Sequence, residues 1–260
     1  MKKLFKILAA ATVAIATLTS AHAALYTNSF GLLQAGPSDC DDCFSGPINF
    51  SGVGQSINFF GTTYSGLFIG SNGYLTFGAG ASNFSTQPLD TETIRPMIAG
   101  SFTDLDSRSD AASNVYIDNT TPGQLVATWQ EMGHYSTNYS VRSTFQLVVR
   151  SDQFLVAPGE GQIGFFYGLI TDPSLTSAGF GDGLAAVNPG EVAFLSAGNG
   201  TTLSNNAPRW FNLTGGAPAP SPNRVPEPGS LALFGVAMAA LGFMRRRAQV
   251  VKQPLRLKSV

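Results

Sequence analysis

Three aspartates near the middle of the chain, Asp104, Asp106 and Asp110, form the first group whose types and spacing suggest chemistry. Asp104 and Asp106 are two apart at an expected strand end, so their carboxylates share a side. Hard oxygens of this kind suit calcium, which takes several oxygen ligands including backbone carbonyls. The glycine and distal glutamate of an EF-hand loop are missing, and the alternative is a solvated turn with Arg108 paired to one carboxylate. Two acids can also divide acid and nucleophile roles in glycoside hydrolysis. Asp104, Asp106 and Glu131 are therefore the candidates for a secreted carbohydrate-active hydrolase, although neighbouring acids on a loop do not define a sugar cleft. Cys40-Asp41-Asp42-Cys43, preceded by Asp39, is the second compact group. In an oxidising compartment two cysteines usually close a disulfide, and three aspartates oppose the thiolate that a redox pair needs. Unpaired thiols or a metal site are the other options, but zinc would require two more ligands and His134 is the only histidine after the N-terminal leader. Nucleophilic catalysis lacks its parts, with no G-x-S-x-G elbow and no H-E-x-x-H around His134. No catalytic residue is assigned. His134, Tyr135, Asn138 and Tyr139 offer aromatic faces and amides on one loop, suited to contact with polysaccharide or another surface protein.

The elements that must position these groups read as strands. From Val141 to Arg150, Val141, Phe145, Leu147 and Val149 share one side, and Arg142, Thr144, Gln146 and Arg150 the other, as in a half-buried strand. Leu125, Ala127 and Trp129 alternate with Gln124, Thr128 and Gln130. Further strands are expected at 56–60, 67–71, 74–77, 97–102, 114–118, 162–167, 178–181 and 191–196. Asn72-Gly73 between apolar runs predicts a hairpin turn in which both residues take positive φ. No interior stretch sustains helical periodicity, so the chain reads as all-β, an antiparallel β-sandwich with helix confined to its two ends. Gly215-Gly216-Ala217-Pro218-Ala219-Pro220-Ser221-Pro222 lacks large apolar residues and reads as part of an extended linker, 215–224.

Both termini carry address-like segments. Lys2, Lys3 and Lys6 precede an apolar run from Ile7 to Leu18, and Ala21-His22-Ala23 is a small-residue cleavage site that would leave Ala24 first. An uncleaved anchor helix is the alternative. At the other end Val225-Pro226-Glu227-Pro228-Gly229-Ser230 leads into an uncharged run, Leu231 to Met244, and then Arg245-Arg246-Arg247. The prolines stop helix from propagating backward, the apolar run can enter a bilayer as helix, and the arginines stay on the cytoplasmic side. About fourteen apolar residues is short for a span that wants roughly twenty. An ordinary C-terminal anchor is the alternative here, and a basic tail occupies 248–260. Between the two ends, Ala24–Arg224 holds six arginines, no lysine and fifteen acids, a net charge of −9. Such a body repels phosphate backbones, which argues against nucleic acid as partner.

Two resemblances follow from these residues. The Pro-Glu-Pro triplet, apolar run and arginine cluster together resemble the PEP-CTERM sorting signal of Gram-negative bacteria. This implies recognition by an exosortase-type membrane protease, transient anchoring through the C-terminal helix, and delivery to the cell surface or extracellular matrix. The order of the hairpin at 68–77, the segment Arg95–Asp106, Asn114–Ile117, the Thr128-Trp129 strand, Thr144-Phe145-Gln146, Ile163–Gly168 and Ala178–Gly183 resembles the nidogen-like domain of adhesion proteins. That resemblance runs from about Leu67 to about Phe211 and implies a non-enzymatic binding module in cell–matrix adhesion. The expected layout is a signal peptide at 1–23, an added N-terminal part of the β domain at 24–66, and a nidogen-like sandwich at 67–214. The linker and the sorting signal at 225–247 follow. The partners implied are the exosortase and exopolysaccharide or other surface proteins of a biofilm matrix. No cofactor is expected beyond the calcium considered above.

Overall fold

The computed structural model describes residues 25–89, 91–108, 110–170, 176–184, 193–195 and 209–220. The chain divides into two units, 1–221 and 222–260. The leader with Ala21, Ala23 and Ala24, the sorting motif, its apolar run and the arginine cluster lie outside the described residues. Among the described residues no helix is long and apolar enough to cross a membrane. The first half contains β1 (Leu32–Leu33), β2 (Ile48–Asn49), β3 (Ile57–Phe59), β4 (Thr62–Tyr64), β5 (Gly66–Ile69), β6 (Tyr74–Thr76), β7 (Met97–Phe102) and β8 (Leu105–Asp106). Then come β9 (Asn114–Asp118), β10 (Gln124–His134), β11 (Asn138–Arg150), β12 (Ile163–Ile170), β13 (Ser177–Gly181), β14 (Ala193–Leu195), β15 (Arg209–Thr214) and β16 (Ala217–Pro220).

Every pairing is antiparallel. One sheet runs β1-β9-β10-β11-β12-β15-β16, with β8 also on β10; the second runs β14-β13-β7-β6-β5-β2; β3 and β4 form a separate hairpin. The two sheets share one core, to which Leu67, Leu75, Ile98 and Phe180 come from the second sheet and Trp129, Phe145, Leu147 and Phe165 from the first. Burying each large side chain there stabilises by about 1.5–3 kcal/mol. Two buried hydrogen bonds tie sheet to sheet: Trp129 Nε1 donates to the Gly70 carbonyl and Tyr167 Oη to the Gly100 carbonyl, each at 2.9 Å. Phe180 meets Phe165 and Phe211 edge-on at 5.4 and 4.9 Å.

Three features differ from the sequence expectation. The strand from Val141 to Arg150 is not half-buried at its C-terminal end, because Tyr26, Phe166 and Trp210 cover Val126 and Val148 on the outer face. The N-terminal segment acts there as a strap: Thr27 N donates to Gln146 Oε1, and Gln146 Nε2 returns a bond to Thr27 O. Arg150 is 1% exposed and bonds Glu160 at 2.6 Å, Gln124 at 2.8 Å and the Tyr26 hydroxyl at 3.1 Å. Its guanidinium also lies 4.6 Å from the Trp210 ring centre and 4.8 Å from that of Phe154.

The expected linker 215–224 begins instead as a hairpin. Gly215 and Gly216 turn with positive φ (62° and 88°), and Ala217–Pro220 pairs with β15. Prolines are tolerated because β16 is an edge strand and Pro218 and Pro220 sit on alternate residues, where an N–H would point away from β15. In the Asn72-Gly73 turn only Gly73 takes positive φ, at 83°. A Cβ there would collide with the Ser101 carbonyl oxygen, so both conformation and space demand glycine. The segment before Leu67, expected as an N-terminal part of the β domain, supplies β1 to the first sheet and β2 to the second.

Removing the Arg150 head group should expose how much the outer face depends on it. Arg150→Ala is expected to lower the unfolding free energy by about 3 kcal/mol, since it takes the guanidinium away from Glu160 and Gln124 and leaves a hole beneath Trp210. Arg150→Met, which keeps a flexible stem in the ring cage, should lose less than half as much. Urea unfolding at constant slope measures both.

Candidate functional site

The candidate site is assembled around the Ser71–Gly73 turn between β5 and β6. Its centre is Asn72, 1% exposed. Asn72 Nδ2 donates to Asp42 Oδ1 at 2.8 Å and to the Asn83 carbonyl at 3.1 Å, while Leu105 N donates to Asn72 Oδ1 at 2.8 Å. One amide thus pins three separate segments, a side-chain role rather than the positive-φ role the dipeptide suggests. Ser71 completes the clamp: Cys43 N donates to Ser71 Oγ at 3.1 Å, Ser71 N to the Cys43 carbonyl at 2.8 Å, and Ser71 Oγ to the Asp41 carbonyl. A disulfide joins Cys40 to Cys43, with Cα atoms 6.0 Å apart. Cys40 is held on the far side by Ser107, whose Oγ donates to its carbonyl at 2.9 Å.

This framework gathers Asp41, Asp42 and Asp104, one carboxylate oxygen of each lying within 4.8 Å of the others. Asp41 Oδ1 and Asp104 Oδ1 are buried without a hydrogen-bond partner. Burial first, then the charges of Asp41, Asp42 and Asp106, push the Asp104 carboxyl up to about 6, with Arg108 opposing. Burial, followed by Asp106, also raises Asp41, again against Arg108. Asp104 therefore belongs with Asp41 and Asp42, and the grouping Asp104–Asp106–Asp110 is corrected. Asp106 accepts from Arg108 Nε at 3.0 Å and NH2 at 2.6 Å, and from Thr137 N at 3.0 Å. Burial would raise its carboxyl, but those bonds hold it below the usual range. Asp110 accepts from Ala112 N at 2.9 Å and pairs with Arg142 at 2.5 Å. Arg108 reaches Asp41 as well, at 2.8 Å.

Converging carboxylates with two buried, unpartnered oxygens are the donor set a calcium ion takes, the rest of its six to eight oxygens coming from carbonyls and water. A hydrolytic acid pair is not what the geometry offers. Asp106 is held by Arg108, and Glu131 sits at a bulge in β10 with positive φ, its carboxylate 3.8 Å from Arg142. The loop His134–Tyr139 is the tip of the β10–β11 hairpin, with His134 opposite Asn138 and positive φ at Ser136 and Thr137. The tip reaches the acid cluster, since Tyr135 N donates to the Asp104 carbonyl at 3.0 Å. Tyr135 is 65% exposed. Tyr139 instead packs under Arg142, 5.1 Å from its guanidinium, and its hydroxyl donates to the Arg108 carbonyl. Asn138 Oδ1 accepts from Ser140 Oγ at 2.5 Å.

A family model described as NIDO related matches residues 17–212. The chain belongs to the NIDO-related family. The match opens well before Leu67, so the strap, the Cys40–Cys43 loop and β1 to β5 fall inside the NIDO-related region rather than being an addition to it. A second model, the PEP-CTERM protein-sorting motif, matches 224–247. It marks an exosortase-sorted extracellular chain, exported and transiently anchored in the membrane before display at the cell surface. Both families are structural and sorting types rather than catalytic ones. No curated protein and no solved structure matches the chain.

Asp41 and Asp42 enter the sequence reading only as charges that oppose a thiolate. The acid density inside a Cys-x-x-Cys loop was the available signal, but its proximity to Asp104 depends on Asn72 and Ser71. Because the folded pKa of Asp104 lies above its unfolded value near 3.9, the folded state binds the extra proton between these values. In chelator, stability should therefore rise as pH falls from 7 through 6 toward 4, and Asp104→Asn should flatten that slope. At pH 7 millimolar calcium should raise the melting midpoint of the unaltered protein and leave that of Asp42→Asn/Asp104→Asn unchanged.

Proposed function

We propose that this protein is a non-enzymatic component of the cell surface or extracellular matrix, acting in adhesion or in the structure of an exopolysaccharide matrix. The carrying observation is the order of two matches, a NIDO-related body at 17–212 followed by a sorting motif at 224–247. An address read by a membrane protease has a purpose only for a body that works outside the cell. Composition supports the same reading: a lysine-free stretch with net charge −9 stays soluble and resists nonspecific anionic contacts. The exposed Tyr135 at the β10–β11 tip gives the body one aromatic face for a partner.

Intact-mass analysis of native protein from culture supernatant and from membranes tests this reading. The expected exported species begins at Ala24 and lacks the arginine cluster. Pro226→Ala with Pro228→Ala should leave the C-terminal tract attached and the chain in the membrane fraction. Full-length polypeptide in the cytoplasm, with both terminal segments intact, would overturn the proposal.

A further inference from the structure

At the end of β11 opposite its hairpin tip, the β3–β4 hairpin, the segment after Arg150 and the β15–β16 turn enclose an open groove of about 400 Å³. That volume falls in the range of ligand sites. Asn58, Asp152, Phe154, Gln162, Asn212 and Gly216 line it. Its polar groups are fixed before any ligand arrives. Asp152 Oδ2 accepts from Asn58 N at 2.8 Å, and Asp152 Oδ1 from Gln162 Nε2 at 3.0 Å. Asn58 Oδ1 accepts from Gly61 N at 3.0 Å, and Gln162 Oε1 from Leu213 N at 2.9 Å. Asn58 is oriented by one side-chain bond and Asp152 and Gln162 by two each, and all three keep capacity in hand. Asn58 retains both Nδ2 hydrogens, Gln162 its second Nε2 hydrogen, and Asp152 further lone pairs. Phe154 adds apolar carbons, its ring steadied by Arg150 at 4.8 Å. Gly216 keeps the wall low, because a Cβ there would strike Asn58 Oδ1.

We propose that this groove binds a neutral, hydroxyl-rich glycan chain. A sugar hydroxyl both donates and accepts, so neighbouring hydroxyls match an alternation of amide donors and carboxylate acceptors. The apolar carbons of Phe154 meet the C–H face of a sugar ring. Among the described residues no cation lines the groove, and Asp152 with the acidic body around it repels an anionic polymer. Openness along the surface lets a chain pass through rather than end inside. The inference rests on the matrix reading and gives it a ligand class and a place, at the other end of the sandwich from Tyr135.

Native electrophoresis of the exported protein in gels containing dextran, galactomannan or xyloglucan, with alginate as the anionic comparison, tests it. Retardation is expected in at least one neutral gel and not in alginate. Asn58→Ala and Gln162→Ala should each weaken it about tenfold, the effect of a lost hydrogen bond. Gly215→Asn guards against misfolding as the cause: asparagine tolerates the positive φ, and nothing lies within 4 Å of a Cβ there. It should obstruct the rim, weaken retardation and leave the melting midpoint unchanged. If none of the three neutral gels retards the unaltered protein, or only alginate does, the groove proposal falls while correct processing keeps the export reading intact. If retardation survives all three groove variants but is lost in Tyr135→Ala, the groove is wrong and polysaccharide contact belongs to the hairpin tip.

Discussion

The position of the acid cluster depends on how closely two sheets approach at one spot. Trp129 and Phe145 stack on the first sheet, 4.9 Å apart and 15° from parallel. Facing them are Gly70, Gly73 and Gly100 of the second sheet. A Cβ at Gly100 would press on Phe145 and Leu147, and one at Gly73 on Phe145 and the Ser101 carbonyl. The missing side chains let backbone come down on the rings, and the indole N–H finds the Gly70 carbonyl. An indole buried without that acceptor would forfeit about 1–3 kcal/mol. The Ser71–Gly73 turn is therefore seated on the core, and everything Asn72 and Ser71 hold is seated with it. A large aromatic pair and three glycines thus set where Asp42 and Asp104 meet.

Charge is distributed with similar economy. Without lysine, the folded body relies on a few arginines, and three of the described ones form its ion pairs. Arg108 bridges Asp106 and Asp41, Arg142 joins Asp110 to the bulge at Glu131, and Arg150 locks strap to sheet. The bidentate geometry of Arg108 on a fully buried Asp106 suits guanidinium rather than ammonium. What remains after this pairing is a cluster of three acids with too little positive charge beside it. Burial first, and then that imbalance, raises Asp104, and a divalent cation is a sensible complement.

Much of the fold was legible because its strands alternate cleanly: the long pair β10 and β11, and β7 and β9, lie where periodicity puts them. Some departures depend on partners distant in sequence, others on nearby pairings that composition and alternation do not rank. Arg150 and Gln146 look solvent-facing by alternation, and only Tyr26, Thr27 and Trp210, more than fifty residues away, bury them. Ala217–Pro220 has the composition of a linker, yet two glycines turn it back and an edge position excuses its prolines. At the site, spacing grouped Asp104 with Asp106 and Asp110, whereas the fold gathers it with Asp41 and Asp42. Arg108 claims Asp106, the pairing already weighed as the alternative to a metal site, and Arg142, distant in sequence, claims Asp110.

The length of β11 gives these local features their joint meaning. Its thirteen residues run from Asn138 at the hairpin tip to Arg150 beside the groove, a path of roughly 40 Å at strand rise. One end is acidic, disulfide-braced and suited to a cation; the other is built of amides around a carboxylate whose charge is already shared among donors. The paired strands between them keep the separation fixed. On the proposed reading, a cation site and a glycan groove held apart by paired strands give the body the mechanical form of a cross-linker. That form suits a molecule addressed to the outside of the cell, where joining components matters more than transforming them.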